Sequence, residues 1–308
     1  MSYSAYSGLS RLPAGNAPDT IIDGCIVLEG GAFRGVYGEG VLDALMQHGV
    51  NLQCTVGCSA GALNGLNYVA GQIGRSARIN LGYRNDPRYV GRRPLLKEGS
   101  LISFDFLFKQ TESFEPLNRK RFLDSRRRFA VVVANCESGE AEYPEKGVCS
   151  DIFRAVQASA SMPFVSHMVD VDGHPCLDGG CCCKIPSHWA YDQGYQKVVI
   201  VRTRHRSFRK PPASEHRRSL ATRFYRNFPA FANKLAESDA DYNRQCDEIG
   251  DLERMGKAFV IAPSVHKEIG RLEKDMQKLG HLYWLGYYDA LERMDSLRKY
   301  LNMPGNDC

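Results

Sequence analysis

The pentapeptide Gly57-Cys58-Ser59-Ala60-Gly61 carries the sharpest chemical signal in this chain. It has the G-x-S-x-G form, in which two glycines flank a serine on a turn too tight for larger residues. A serine held there projects its hydroxyl from a strand-to-helix junction, where the unpaired N–H groups of the helix start favour developing negative charge. Ser59 is therefore the candidate nucleophile, with Gly57 and Gly61 shaping its elbow. A second turn of the same kind is Gly30-Gly31-Ala32-Phe33-Arg34-Gly35. Acyl transfer passes through a tetrahedral oxyanion, and backbone N–H groups in a glycine-rich turn can stabilise it, each worth on the order of 3 kcal/mol of barrier. Arg34 adds a permanent positive charge that can orient the loop or meet a phosphate. The competing reading is a dinucleotide-binding turn, but G-x-G-x-x-G requires glycine at position 32, where this chain has alanine. The third element, Asp178-Gly179-Gly180, is a carboxylate followed by two small residues that let the chain turn sharply beside another loop. Taken alone it reads equally as a plain turn.

The elements that must position these residues alternate strand with helix, the pattern of a mostly parallel sheet covered on both faces. Gly24 to Glu29 is a short apolar strand, followed by a helix with Val36, Val41, Leu42, Leu45 and Met46 on one side and Gly49 at its end. Leu52 to Val56 makes the next strand and Leu63, Leu66, Tyr68 and Val69 the next helix. Phe129 to Asn135 is a β-branched run. Asp151 is a good N-cap for a helix reaching Met162 before Pro163. Val169 to Leu177 reads as a hairpin turning at Asp172-Gly173 and delivering Asp178. Lys197 to Val201 and Ala258 to Ile261 are two further buried strands, and Val265 to Leu301 reads as amphipathic helices outside the core. The three motifs then all lie at carboxyl ends of strands, where open parallel sheets build their sites.

In type, order and spacing these motifs resemble the patatin-like phospholipase family over about Ile21 to Val201, and most closely its bacterial branch with a helical C-terminal region. The resemblance implies an α/β fold, a three-layer α/β/α sandwich with a mostly parallel central sheet. It implies a serine–aspartate dyad that cleaves lipid acyl esters, a phospholipase A-type carboxylic ester hydrolysis. Ser59 would attack the ester carbonyl, Asp178 would accept its proton as general base, and an acyl-enzyme would form on Ser59 and be hydrolysed. The glycine-rich turn (Gly30, Gly31, Ala32, Arg34 and Gly35) would form the oxyanion hole, and Gly179 and Gly180 would shape the acid loop. Two departures concern pocket shape. Ala32 replaces the glycine most often found at the third position of the oxyanion turn, and Cys181-Cys182-Cys183 precedes Pro186 where polar or small residues are more usual.

Bulk properties bound the rest. The chain has 308 residues, 43% apolar and 24% charged, which is ordinary globular composition. No stretch approaches the roughly 20 apolar residues of a membrane-spanning helix, and Met1 to Thr20 lacks an apolar leader core, so it reads as a flexible lead-in to a cytoplasmic protein. The division expected is lead-in 1–20, catalytic domain 21–264 and helical extension 265–308. Eleven cysteines without a C-x-x-C pair read as small buried hydrophobes rather than a disulfide framework or metal site; neither metal nor organic cofactor is required. The net charge is +5, and Arg202 to Arg226 concentrates nine cations against Glu215 alone. That run reads as a solvated connector, or as a peripheral contact with an anionic inner-membrane face; sparse aromatics argue against nucleic acid. Leu101 to Phe108 is either a lid or core. The rival readings are an α/β-hydrolase triad using one of His188, His205, His216, His266 or His281, and a non-catalytic lipid-binding protein on the same fold.

Overall fold

The computed structural model describes residues 3–303. Seven main strands are Ile22–Leu28 (β1), Leu52–Cys58 (β2), Arg128–Asn135 (β3), Val169–Val171 (β4), His174–Asp178 (β5), Val198–Val201 (β6) and Ala258–Ile261 (β7). They form one sheet in the order β7-β6-β1-β2-β3-β5-β4, with the short strand Ala141–Glu142 paired to β3. The first five in that order run parallel, and the β4–β5 hairpin is added antiparallel at one side.

The strands are apolar on both faces, as a sheet buried between two helical layers requires. Ile26 and Leu28 of β1, with Val199 and Val201 of β6, face one layer. The alternate residues Cys25, Val27, Val198 and Ile200 face the other. The principal helices are Val36–Gln47 (α1), Ala60–Val69 (α2), Ile152–Ser159 (α3), Ser187–Asp192 (α4), Glu215–Phe224 (α5), Pro229–Arg254 (α6), Met276–Glu292 (α7) and Met294–Tyr300 (α8). Helices α1, α7 and α8 cover the first face, continued by α2 and α3. Helices α4 and α6 cover the second. This is the three-layer α/β/α arrangement.

Helix α6 has no counterpart in the sequence reading. It spans 26 residues, starts with Pro229 in its first turn and buries Phe231, Leu235, Tyr242, Cys246 and Ile249. Its buried face also carries Ser238, Asp239 and Asp241, which break the apolar stripe that would announce it.

Two other expectations change. The N-terminal segment is packed rather than flexible: Tyr6 is 4% exposed, its ring fits against Gly280, and Gly15–Asn16 pairs with Gln72–Ile73. The basic run is likewise built into the fold. Arg202 lies buried 3.9 Å from Glu29 and donates to the Tyr242 hydroxyl. Arg206 pairs with Glu253, Arg209 with Asp247, and Lys210 and Arg217 both with Asp239. Glu29 directly follows β1 and the other acids lie on α6, so the cations clamp the loop after β6 and the start of α5 to the second helical layer. Arg218, Arg223 and Arg226 remain outward. In the Leu101–Phe108 segment, Ile102, Phe104 and Phe106 are buried, which is the packing the core reading expects.

Candidate active site

β1 and β2 are parallel neighbours, so the turns that follow them emerge side by side. β5 runs antiparallel yet reaches the same place, because its last residue, Asp178, is level with Val133 while Cys58 is level with Val132. Asp178 therefore arrives at the carboxyl end of the expected hairpin, on a strand that runs antiparallel to β3.

Ser59 has φ 55° and ψ −119°, a conformation costly for a residue with a Cβ and characteristic of a strand-to-helix elbow. The elbow fits only because its flanks are bare. A Cβ on Gly61 would come 2.3 Å from the Leu28 carbonyl, and one on Gly57 2.5 Å from the Gly61 carbonyl. The Ser59 hydroxyl donates to Asp178 Oδ2 at 2.7 Å. Asp178 Oδ1 accepts the Gly180 N–H at 2.8 Å, which holds the carboxylate plane. Burial raises the carboxyl pKa of Asp178, opposed by its hydrogen bonds from Ser59 and Gly180 and by the charges of Lys184 and Arg271. A more basic carboxylate than usual thus faces an alcohol.

One short segment, unmarked in the sequence, braces both partners. Ser159 Oγ, fully buried at the end of α3, accepts the Ser59 N–H at 2.9 Å. Two residues on, the Ser161 carbonyl accepts the Asp178 N–H at 2.8 Å.

In the glycine-rich turn, Ala32 sits at φ 50° and the N–H groups of Gly31 and Ala32 take no protein acceptor among the described residues. Gly30, Gly31, Ala32, Arg34, Ser59, Asp178 and Gly180 all border one cleft of about 700 Å³. Gly35 does not: it packs against Ala60, and its carbonyl accepts from Asn64. Gly179 packs on the Val132 carbonyl behind the site. Cys181 lies in a one-turn helix after Asp178 rather than in a strand, and burial pushes the Cys182 thiol up to about 12.

Ser59 stands where two cavities meet. The cleft is lined by Arg34, Lys184, Arg204, Lys210, Arg217 and Arg271. The second cavity, about 430 Å³, also touches Ser59, Ala32 and Met162; its walls are mainly apolar, from Phe33, Ala60, Leu63, Ile102 and Ala160, but also include Glu39, Asn64 and Asn80. None of the five candidate histidines borders either cavity. His188 pairs with Glu248 on the surface, and His205 and His266 share Ser207.

Comparison with known proteins completes the description. A family model described as Patatin-like phospholipase matches residues 26–190. A second, described as a domain of unknown function (DUF6363), matches residues 228–302 and so takes in α6, β7, α7 and α8. The chain is 31% identical over 184 residues to the uncharacterized protein YjjU of Escherichia coli (strain K12), covering 58% of this chain and 51% of that one. The chain thus spans about half the length of the curated relative it matches. Among solved structures, VipD from Legionella pneumophila matches with a TM-score of 0.48 and 14% identity, over 95% of this chain and 69% of VipD.

Proposed function

Since the chain belongs to the patatin-like phospholipase family, we propose that it hydrolyses lipid acyl esters through an acyl-enzyme on Ser59, with Asp178 as general base. The observation that carries this reading is the 2.7 Å hydrogen bond from the Ser59 hydroxyl to Asp178, at the junction of a cationic cleft and an apolar pocket. An amphiphile laid across that junction presents its ester to Ser59, with its acyl chain toward Leu63 and Ile102.

The chemistry closes on itself. The Ser59 oxygen bonds to the carbonyl carbon as its proton passes to Asp178, and the carbonyl electron pair moves onto oxygen. The unpartnered amides of Gly31 and Ala32 are the donors suited to that charge. Collapse breaks the bond to the alcohol oxygen, which leaves with the proton from Asp178. Water then gives a proton to Asp178 and attacks the acyl carbon; the bond to Ser59 breaks, the proton returns to its oxygen, and a carboxylic acid departs.

The test is lipid turnover read by mass spectrometry, with fluorophosphonate labelling alongside. Wild type is expected to label on Ser59 and to release fatty acid from phospholipid or lysophospholipid; Ser59→Ala should do neither. Asp178→Asn should lower turnover by about three orders of magnitude or more while binding persists. Substrate binding without labelling or turnover would replace the reading with a non-catalytic lipid-binding one. A histidine variant as inactive as Ser59→Ala would restore the triad.

The reading carries with it a cytoplasmic protein that meets an anionic inner-membrane surface through α5. That helix exposes Leu220 (44%) and Phe224 (58%) beside Arg218, Arg223 and Arg226. Co-sedimentation with phosphatidylglycerol vesicles should weaken in Phe224→Ser/Arg223→Gln; unchanged binding rejects this contact.

A further inference from the structure

Of the cations lining the cleft, Lys210 and Arg217 share the one carboxylate of Asp239, and Lys184 donates to the Ser238 carbonyl. Arg34, Arg204 and Arg271 are different. Among the described residues no carboxylate lies within ion-pair distance of any of the three. Arg34 is 9% exposed, and its buried Nε has no hydrogen-bond partner. Three guanidinium groups thus line the cleft beside Ser59 with no ion pair of their own; Glu29, which acts on Arg34 and Arg204 from a distance, is engaged by Arg202 and the Thr203 N–H, and Asp178 by the Ser59 hydroxyl.

Their placement is built rather than incidental. The Phe33 N–H donates to the Arg271 carbonyl at 3.2 Å, tying that loop to the glycine-rich turn. The Arg84 guanidinium holds the next two carbonyls, those of Leu272 and Glu273, at 2.7 and 2.8 Å. The Arg204 guanidinium lies 3.9 Å over the Phe208 ring, which fixes its stem. Burial, and then the charges of Arg204 and Arg271, push Arg34 down to about 10, so the three groups repel one another. Like charges held together this way favour an anion among them.

We propose that this cleft is the headgroup chamber of the hydrolase and selects acyl glycerophosphates of net negative charge, with Arg204 and Arg271 as the selecting residues. The proposal deepens the acyl-hydrolase reading and rests on it. A phosphate bearing no amine fits three donors that lack a carboxylate, since guanidinium groups bind phosphate oxygens in pairs. A choline or ethanolamine headgroup would set its own cation among the arginines.

The experiment uses the full chain with dihexanoyl phosphatidate and dihexanoyl phosphatidylcholine, both kept monomeric so that no charged surface gathers the enzyme. The quantity read is the ratio of the two kcat/KM values within one preparation, which does not depend on the fraction folded. Wild type should favour phosphatidate by about tenfold or more, the scale of one charge-assisted hydrogen bond. Arg204→Gln and Arg271→Gln should each lower the ratio, and the double variant should bring it near one. A wild-type ratio near or below one, or a ratio unmoved in the double variant, overturns the proposal. Inorganic phosphate that inhibits p-nitrophenyl butyrate hydrolysis without any headgroup preference would assign the arginines to free phosphate and overturn it too. Hydrolysis of the neutral ester without headgroup preference leaves the hydrolase reading standing; hydrolysis of neither removes both.

Discussion

Burial leaves Asp178 less acidic than an exposed aspartate, and the base role proposed for it requires the ionised carboxylate. The sign follows: the rate should fall as pH drops through this raised pKa, so the acid limb of kcat/KM lies above the ordinary aspartate range of about 4. A limb at or below that range would remove Asp178 from the role. Ser159 makes a second case. Ser159→Ala leaves the Ser59 N–H without its acceptor inside the protein, and should cost about 1–2 kcal/mol of stability. It should also lower kcat about tenfold with KM little changed, because the elbow rather than the cavity walls is disturbed. Equal loss in kcat and KM would argue that Ser159 only supports packing. Ser59 was legible because an elbow restricts its neighbours to small residues over five positions. Ser159 was not, since a serine in the last turn of a short helix has no local feature that distinguishes it. Its meaning lies in a partner 100 residues away.

At the scale of elements, a tight constraint is the crossing of α1 and α7. A Cβ on Gly40 would come 2.0 Å from the Tyr283 carbonyl, and one on Gly286 2.0 Å from that of Tyr37. Either Gly→Ala change should push the helices apart and cost about 2–3 kcal/mol, against a slight gain if the helix were free. Urea midpoints of the two variants check this, and unchanged values would mean that the crossing gives way freely. Strands β1, β2, β3, β6 and β7 could be read from the sequence because each is dominated by apolar residues, as strands buried between two helical layers are. α6 could not, because its buried face carries Ser238, whose hydroxyl donates to the Leu235 carbonyl one turn back, and Asp239, which is paired with Lys210 from a distant loop. The basic run misled for the same reason. Its acids Asp239, Asp247 and Glu253 lie on a helix further along the chain, so charge counted locally looked unopposed.

For the whole molecule, pH acts on stability through two acids buried on α1. Burial raises the Glu39 carboxyl to about 8 and that of Asp43 to about 7, well above the ordinary carboxylate range of about 4. A carboxyl whose folded pKa is raised is protonated more readily in the folded state. Its contribution is complete below about pH 4 and is lost as pH rises through about 7 to 8. Stability should therefore decline on the alkaline side, and Glu39→Gln should flatten the decline, as urea midpoints at about pH 5.5 and about pH 8.5 would reveal. A variant declining as steeply as wild type would mean that Glu39 ionises freely. Asp43 also accepts the Tyr283 hydroxyl at 2.8 Å, and Asp289 that of Tyr37 at 2.9 Å, across 240 and 252 residues of chain. During synthesis, then, Ser59 and Asp178 both leave the ribosome while one flank of the sheet is still bare. Only when α7 and α8 emerge can that flank close, and until then the nascent chain presents an apolar surface that chaperones can grip.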